Sequence, residues 1–253
     1  MYGGQVIGQA LVAASRTIDE TRQAHSLHGY FLRPGDTEVP ILYKVDRIRD
    51  GQSFSTRSVV AIQKGKPIFT LSISFQIDEQ GPAHQLEMPQ VPPPEHFIDD
   101  DILHAQQAEN WPEEYQTAFN GVSAIQVRQI DPLDLLNPKA SAPNQMCWMK
   151  TRESLPDGLR LHQCVLAYLS DWSLLDTATR PHAISFLQDN VQMASLDHAM
   201  WFHRPFRADE WLLYVQDSPF GGGARGYNRG LIFDRSGTLV ASATQEGLLR
   251  LHK

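Results

Sequence analysis

The stretch YFLRPG at residues 30–35 returns as WFHRPF at residues 201–206. The echo sets Tyr30 on Trp201, Phe31 on Phe202, Arg33 on Arg204 and Pro34 on Pro205, at an offset of 171 residues. Farther along, KGKPIFTLSISFQ (64–76) aligns with SGTLVASATQEGL (236–248) at an offset of 172, so that Gly65 meets Gly237 and Arg57 meets Arg229. Internal self-similarity at a steady offset restricts a chain to architectures built from stacked or joined copies of one unit.

Both halves carry the same order of patterns. In VIGQALVAA (6–14), Val6, Ile7, Ala10, Leu11 and Ala14 fall on one stripe of a helix. In LRLHQCVLAYLSDW (159–172), Leu161, Cys164, Val165, Tyr168 and Leu169 do the same. Four strand-like runs follow each helix: HSLHGYFLR, VPILYKVDRIR, SFSTRSVVAIQ and PIFTLSISFQ in the first half, MASLDHAMWFHR, EWLLYVQD, ARGYNRGLIFD and TLVASATQEGLLR in the second. A helix followed by an antiparallel meander predicts an α+β unit whose sheet wraps the helix, and two such units can join into one longer sheet. Tyr30, Trp201 and Phe202 are expected in the core at that joint. The expected division is an N-terminal unit over 1–77, a Pro-rich linker over 78–122 and a C-terminal unit over 123–253. The linker contains PQVPPPE (89–95) and the acidic IDDD (98–101), and its QQAENWPEEYQTAF stretch is expected to be partly helical. Strand-like VSAIQVRQI and NQMCWMKT precede the second helix, whereas the first helix starts almost at Met1. An N-terminal strand is therefore expected to be missing from this chain.

A net charge of −7 excludes the basic footprint of a nucleic-acid binder, while leaving single basic residues free to meet a phosphate-bearing small ligand. Cys147 and Cys164 form neither a metal-ligand spacing nor a disulfide framework, which points to a reducing, cytoplasmic setting. No apolar run reaches the roughly 18 residues of a membrane span. GGGARG (221–226) satisfies a glycine-rich nucleotide fingerprint, but the strand-like YNRGLIFD that follows predicts a hairpin instead. There is no G-x-S-x-G for a serine nucleophile. His25 with His28, and His198 with His203, lack the further ligands of a metal site, so no metal is expected.

The informative positions are those at which the halves differ. In PIFTLSISFQ the alternate residues Phe69, Leu71, Ile73 and Phe75 are apolar. In the second half the same face carries Leu239, Ala241, Ala243, Gln245 and Gly247, with an amide, Gln245, standing where Ile73 stood. An inward amide needs partners, because burying it unpaired costs about 1–3 kcal/mol. Ser195 replaces Ala24 at a strand start, and Asp171 sits near the apolar stripe of the second helix. A backbone-bonded amide, a turn serine and a helix-end aspartate are the bland alternatives. A carboxylate, a hydroxyl and an amide all arising in one half form a sharper signal than any one of them.

GGQVIGQAL, HSLHGYFLRPGD, DGQSFSTRSVVAIQKGKPIF, LDHAMWFHRPF and VASATQEGLLR together resemble the bacterial acyl-CoA thioesterase II family over nearly the whole chain. The resemblance implies a double hotdog fold and hydrolysis of fatty acyl-CoA to free acid and CoA, with no cofactor, metal or covalent intermediate. It also implies a homo-oligomer, a dimer or tetramer of double hotdogs. The family's Asp, Thr and Gln fall on Asp171, Ser195 and Gln245, with serine where threonine is usual. Asp171 would serve as general base, while Ser195 and Gln245 orient the water. The oxyanion donors would be backbone N–H groups near a helix N-terminus. The acyl chain is expected in space opened by the small residues, and Arg229 or Lys64 on the CoA phosphates. Two alternatives stay open: a hotdog enoyl-CoA hydratase using His198 beside Asp197, and an acyl-CoA-binding protein without turnover.

Overall fold

A computed structural model describes residues 1–112, 115–116 and 123–252. The first half runs α1 (Gly3–Ser15), β1 (Arg22–Phe31), β2 (Leu42–Asp50), β3 (Phe54–Gln63) and β4 (Lys66–Ile77). After the connecting segment, which carries α2 (Asp100–Gln107), come β5 (Ile125–Gln129), β6 (Asn144–Thr151) and α3 (Leu159–Leu169). The second meander is β7 (Val191–Ser195), β8 (Asp197–Phe202), β9 (Leu212–Gly222), β10 (Arg225–Asp234) and β11 (Leu239–Leu251).

All eleven strands belong to one antiparallel sheet in the order β2-β3-β4-β1-β8-β11-β10-β9-β6-β5, with β7 also on β11. From β2 to β9 the order is a palindrome of the two meanders. The joint is the β1–β8 ladder, in which Ser26 faces Trp201 and Tyr30 faces Asp197. The sequence echo therefore lies where the halves meet. β1 bulges between Ala24 and Ser26, and the second half breaks at the corresponding place, between Ser195 and Asp197. On the outer side of β9 lie β6 and then β5. Among the described residues β2, the counterpart of β9, has a strand partner only on its inner side.

The two long helices lie antiparallel: Gly4 of α1 meets Tyr168 and Asp171 at the end of α3, while Arg160 Nη1 at the start of α3 donates to Ser15 O and Ile18 O. Gly8 permits the close crossing, since a Cβ there would stand 2.9 Å from Cys164 O. The α1 stripe is as expected, with Ile7, Ala10, Leu11 and Ala14 fully enclosed. The α3 stripe differs. Leu161 is exposed, Val165 and Tyr168 are half-buried, and the enclosed residues are Leu166, Ala167 and Leu169 together with His162, Gln163 and Cys164. The reason is that α3 packs against both the sheet and α1, and its sheet side accepts polar groups such as the Gln163 amide, which donates to Ala24 O of β1 at 2.8 Å. α3 also ends at Leu169, so Asp171 lies on the turn that follows.

Two further expectations are corrected. Tyr30 is 63% exposed: it sits on the joint, but on the outer face of β1, whereas Phe202 is buried. Leu239 does not share the inner face of β11, because a bulge between Ile232 and Phe233 of β10 puts Val240 inward and turns Leu239 to the other side. There Leu239 joins Trp148, Leu213 and Phe233 beneath Met88, Val91 and Phe97 of the Pro-rich segment. That segment is pinned by Trp148 Nε1 donating to Pro92 O and by Arg128 Nη1 donating to Pro94 O. The acidic stretch at 98–101 starts α2. Asp99 accepts the Asp101 N–H as a cap, and Asp99 and Asp101 both pair with Arg152. Of QQAENWPEEYQTAF, Gln106 and Gln107 end α2 and Ala108–Asn110 forms a 3₁₀ turn, while residues 113–114 and 117–122 lie outside the described residues.

Candidate active site

α1 begins without a side-chain cap of its own: Tyr2 occupies the cap position and makes no such bond. The cap comes from the other half of the molecule. The Gly4 N–H donates to Asp171 Oδ2 at 2.8 Å. A carboxylate suits this place, since the first turn of a helix presents unpaired N–H groups and the positive end of its dipole. Two glycines make the approach possible. A Cβ on Gly3 would lie 2.8 Å from Asp171 Oδ2 and one on Gly4 only 2.3 Å from Tyr168 O.

The second oxygen, Asp171 Oδ1, accepts from Gln245 Nε2 at 2.6 Å, and the same Nε2 donates to Ser195 Oγ at 2.8 Å. Gln245 is 1% exposed and points inward from β11, while Asp171 and Ser195 are half-buried. With both amide protons engaged, the orientation of Gln245 is fixed, and its Oε1 is left as an enclosed acceptor without a protein partner. The three residues singled out by comparing the halves thus meet as one hydrogen-bonded group. They come from the turn after α3, the end of β7 and the middle of β11.

Behind the group, Ser170 is held on two sides. Tyr214 Oη donates to Ser170 O at 2.7 Å, and His198 Nε2 lies 2.9 Å from Ser170 Oγ. Burial lowers the His198 pKa and raises that of Tyr214 well above its ordinary value, so both are neutral spacers. His198 is 1% exposed behind Ser170, which takes it away from a hydratase role, and Asp197 is occupied in accepting the Glu246 N–H. Among the described residues no three His, Cys, Asp or Glu side chains form a group that could hold a metal.

Arg229 and Lys64 do not join the group. Arg229 is exposed and pairs with Asp217 on the β9–β10 ladder, and Lys64 pairs with Asp36 at 2.8 Å on the first half. The duplicate of Arg229, Arg57, has a different fate: it is 2% exposed and all its N–H groups are directed at Thr17, Arg49 O, Thr56 O and Asp50. The space expected beside the small residues of β11 is filled. Ala241 and Ala243 are enclosed in the core, and a Cβ on Gly247 would lie 2.3 Å from Leu175. Gly247, with Gly226 of β10, admits the 3₁₀ turn Leu175–Ala178. GGGARG is the expected hairpin, turning at Gly223 and Ala224 with positive φ.

Sequence comparison agrees with this geometry. The family profile described as acyl-CoA thioesterase matches residues 118–248, and the acyl-CoA thioesterase N-terminal domain profile matches 1–76. Acyl-CoA thioesterase 2 of Haemophilus influenzae is 40% identical over 99% of this chain and 87% of its own. The chain belongs to the acyl-CoA thioesterase family. Mouse acyl-coenzyme A thioesterase 8 is 45% identical, over 99% of this chain and 80% of its own. Among solved structures, the acyl-CoA thioesterase II TesB2 of Mycobacterium marinum is 47% identical with a TM-score of 0.81, over 99% of this chain and 89% of that one. A hot dog fold protein from Alicyclobacillus acidocaldarius shares the fold at 18% identity, with a TM-score of 0.79 over all of this chain and 88% of that one. The fold of this acyl-CoA thioesterase is a double hotdog. No helix among its described residues is long and apolar enough to cross a membrane.

Sequence reasoning missed the part played by Gly3 and Gly4. The signal was present: two adjacent glycines at the start of a helical pattern are costly unless something must approach closely. It also missed the His198–Ser170–Tyr214 support, which depends on contacts between residues 28 and 44 positions apart.

Proposed function

We propose that this thioesterase hydrolyses fatty acyl-CoA by direct attack of a water molecule that Asp171, Ser195 and Gln245 hold at the end of α1. The carrying observation is the convergence of the three side chains, with Gln245 Nε2 bonded to both Asp171 and Ser195. Asp171 accepts the proton that the water loses as it attacks the thioester carbonyl. The hydroxyl of Ser195 and the unpaired Oε1 of Gln245 direct the water's remaining bonds, fixing its approach. The carbonyl oxygen gains negative charge in the transition state, and the N-terminal N–H groups of α1 other than that of Gly4, which Asp171 occupies, are the candidate backbone donors to stabilise it. CoA thiolate then leaves and takes up a proton. No covalent enzyme intermediate is required. Arg229 and Lys64 are the candidate contacts for the CoA phosphates, and each would exchange a carboxylate partner for a phosphate.

The test is the release of CoA thiol from palmitoyl-CoA. General-base removal costs about 10²–10⁴-fold, so Asp171→Asn should lower kcat by at least 10²-fold with little change in KM. Equal rates for the two proteins would overturn the assignment. Arg229→Ala and Lys64→Ala should raise KM at constant kcat if those residues meet the phosphates.

A further inference from the structure

Two open spaces flank Asp171 without including it, one on each side of the α1 N-terminus. The first, about 380 Å³, is bounded by Tyr2 and by Trp172, the neighbour of Asp171, and holds Asp100, Gln129 and Asp176. The second, about 540 Å³, begins at Gln5 and Tyr168, one helical turn from Asp171, and follows the crossing of α1 and α3 past Val165 and Val12 to Leu161 and Leu155. The substrate of the proposed reaction likewise has two arms, a hydrocarbon chain and the polar pantetheine arm of CoA. Which arm lies where follows from the walls.

The smaller space is the more polar of the two: beside Leu103, Leu133 and Leu135 it presents Asp100, Gln129 and Asp176. Asp100 is 3% exposed, and its Oδ1 has no hydrogen-bond partner, Gln129 being bonded to the other oxygen. Filling this space with methylenes would leave that acceptor and the Asp176 carboxyl sealed away unpaired. The larger space is walled by Val12, Leu155, Leu161, Cys164 and Val165, with Gln5 and Gln9 at its rim. Leu161 is 37% exposed, and Val12 and Val165 are half-buried, so apolar surface is waiting to be covered along the whole run. From Tyr168 to Leu161 the groove follows two turns of α3, about 10 Å at 1.5 Å per residue.

We propose that the groove between α1 and α3 seats the acyl chain, and that Val12 and Leu161 at its far end set the chain length the enzyme accepts. The inference rests on the reaction proposed above and adds to it the direction in which the substrate lies. It also explains the unexpected burial on α3: Leu161, Val165 and Tyr168 form an apolar stripe that the protein does not itself cover.

The experiment replaces Leu161, and separately Val12, by Trp, and measures kcat/KM for hexanoyl-, decanoyl- and palmitoyl-CoA. Both positions are at least partly exposed, so the variants should fold, which circular dichroism checks. Each methylene removed from apolar contact is worth about fourfold in kcat/KM, the ratio equivalent to about 0.8 kcal/mol. Blocking three methylenes should therefore lower palmitoyl-CoA turnover about 50-fold while leaving hexanoyl-CoA within twofold. An Asp176→Leu control should act alike on all three chain lengths. Unchanged chain-length selectivity in both Trp variants would overturn the proposal, as would a selectivity that shifts in Asp176→Leu instead. Hexanoyl-CoA hydrolysis that persists in Asp171→Asn would strike the catalytic reading alone, so the two failures are distinguishable.

Discussion

Replacing Gly4 by Ala tests how strongly Asp171, the proposed general base, depends on the helix that faces it. A Cβ at this position would stand 2.3 Å from Tyr168 O, whereas ordinary contact starts at 3.4 Å. Both atoms are tied to backbone, so relief requires the α1 terminus and the end of α3 to separate by about 1 Å. The Gly4 N–H bond to Asp171 Oδ2, now 2.8 Å, would then stretch past the 3.2 Å limit of a good bond. A hydrogen bond to a charged group contributes about 1.5–3 kcal/mol, partly offset by the better helix propensity of Ala. The expected net loss of stability is about 1–2 kcal/mol. The kinetic effect should be larger, because a 1 Å misplacement of a reacting group costs about 10²-fold. Thiol release from palmitoyl-CoA should show kcat reduced about 10²-fold at nearly constant KM, in a protein whose thermal unfolding by circular dichroism remains cooperative. A folded Gly4→Ala variant with kcat within twofold of the parent would refute the idea that this contact positions Asp171.

Other outcomes follow from the same geometry. Arg57→Ala removes an enclosed guanidinium whose carboxylate partner, Asp50, lies at the surface, and leaves the acceptors at Thr17, Arg49 and Thr56 bare, so urea denaturation should show a loss of about 1–3 kcal/mol; its duplicate, the exposed Arg229, should lose less than about 1 kcal/mol on the same change. Ser195→Thr retains the hydroxyl with a stiffer rotamer and should keep or raise kcat, whereas Ser195→Ala should lower it. Burial, the charge of Asp171 and a smaller opposing effect of Arg180 place the Asp176 carboxyl at about 7, above its ordinary 3.8. A carboxyl raised in this way favours the folded state below pH 3.8 and loses that contribution as pH climbs through about 7. Differential scanning fluorimetry from pH 4 to pH 8 should therefore show Asp176→Asn gaining on the parent protein as pH rises, and parallel curves would contradict it.

Much of this fold could be read from the duplication alone. The hairpins follow from local patterns, and the two helix-plus-meander units and their joint follow from the echo at an offset of 171–172 residues. Ser195 and Gln245 were legible for a different reason: each breaks an equivalence with its apolar duplicate, Ala24 and Ile73, and an exception inside a repeat needs no tertiary knowledge to be noticed, while Asp171 stood out as a carboxylate beside an apolar helical stripe. The errors fall where burial is decided by distant neighbours. The stripe on α3 was assigned as though one sheet face were its only contact, but α1 covers a second side and leaves Leu161 outside. Tyr30 and Trp201 were placed inside together with Phe202, yet both lie on the outer face of the joint, where Trp201 is only half-buried, and the two faces of a joint strand differ only through what packs on them. The small residues of β11 were read as leaving room, and no local pattern announces that Leu175 occupies it. Gly3 and Gly4 owe their importance to residues more than 160 positions away.

The hydrogen bond from Gly4 to Asp171 crosses the ancestral boundary between the copies. Gene duplication ordinarily leaves each descendant free to drift, yet here the half that lacks the carboxylate, hydroxyl and amide still holds its twin's carboxylate through a main-chain amide. Neither module is therefore a spare part. Transplanting the C-terminal half alone into another protein would carry Asp171, Ser195 and Gln245 but sever the prop beneath them, and on the proposed reaction selection for turnover extends to two glycines in the opposite half.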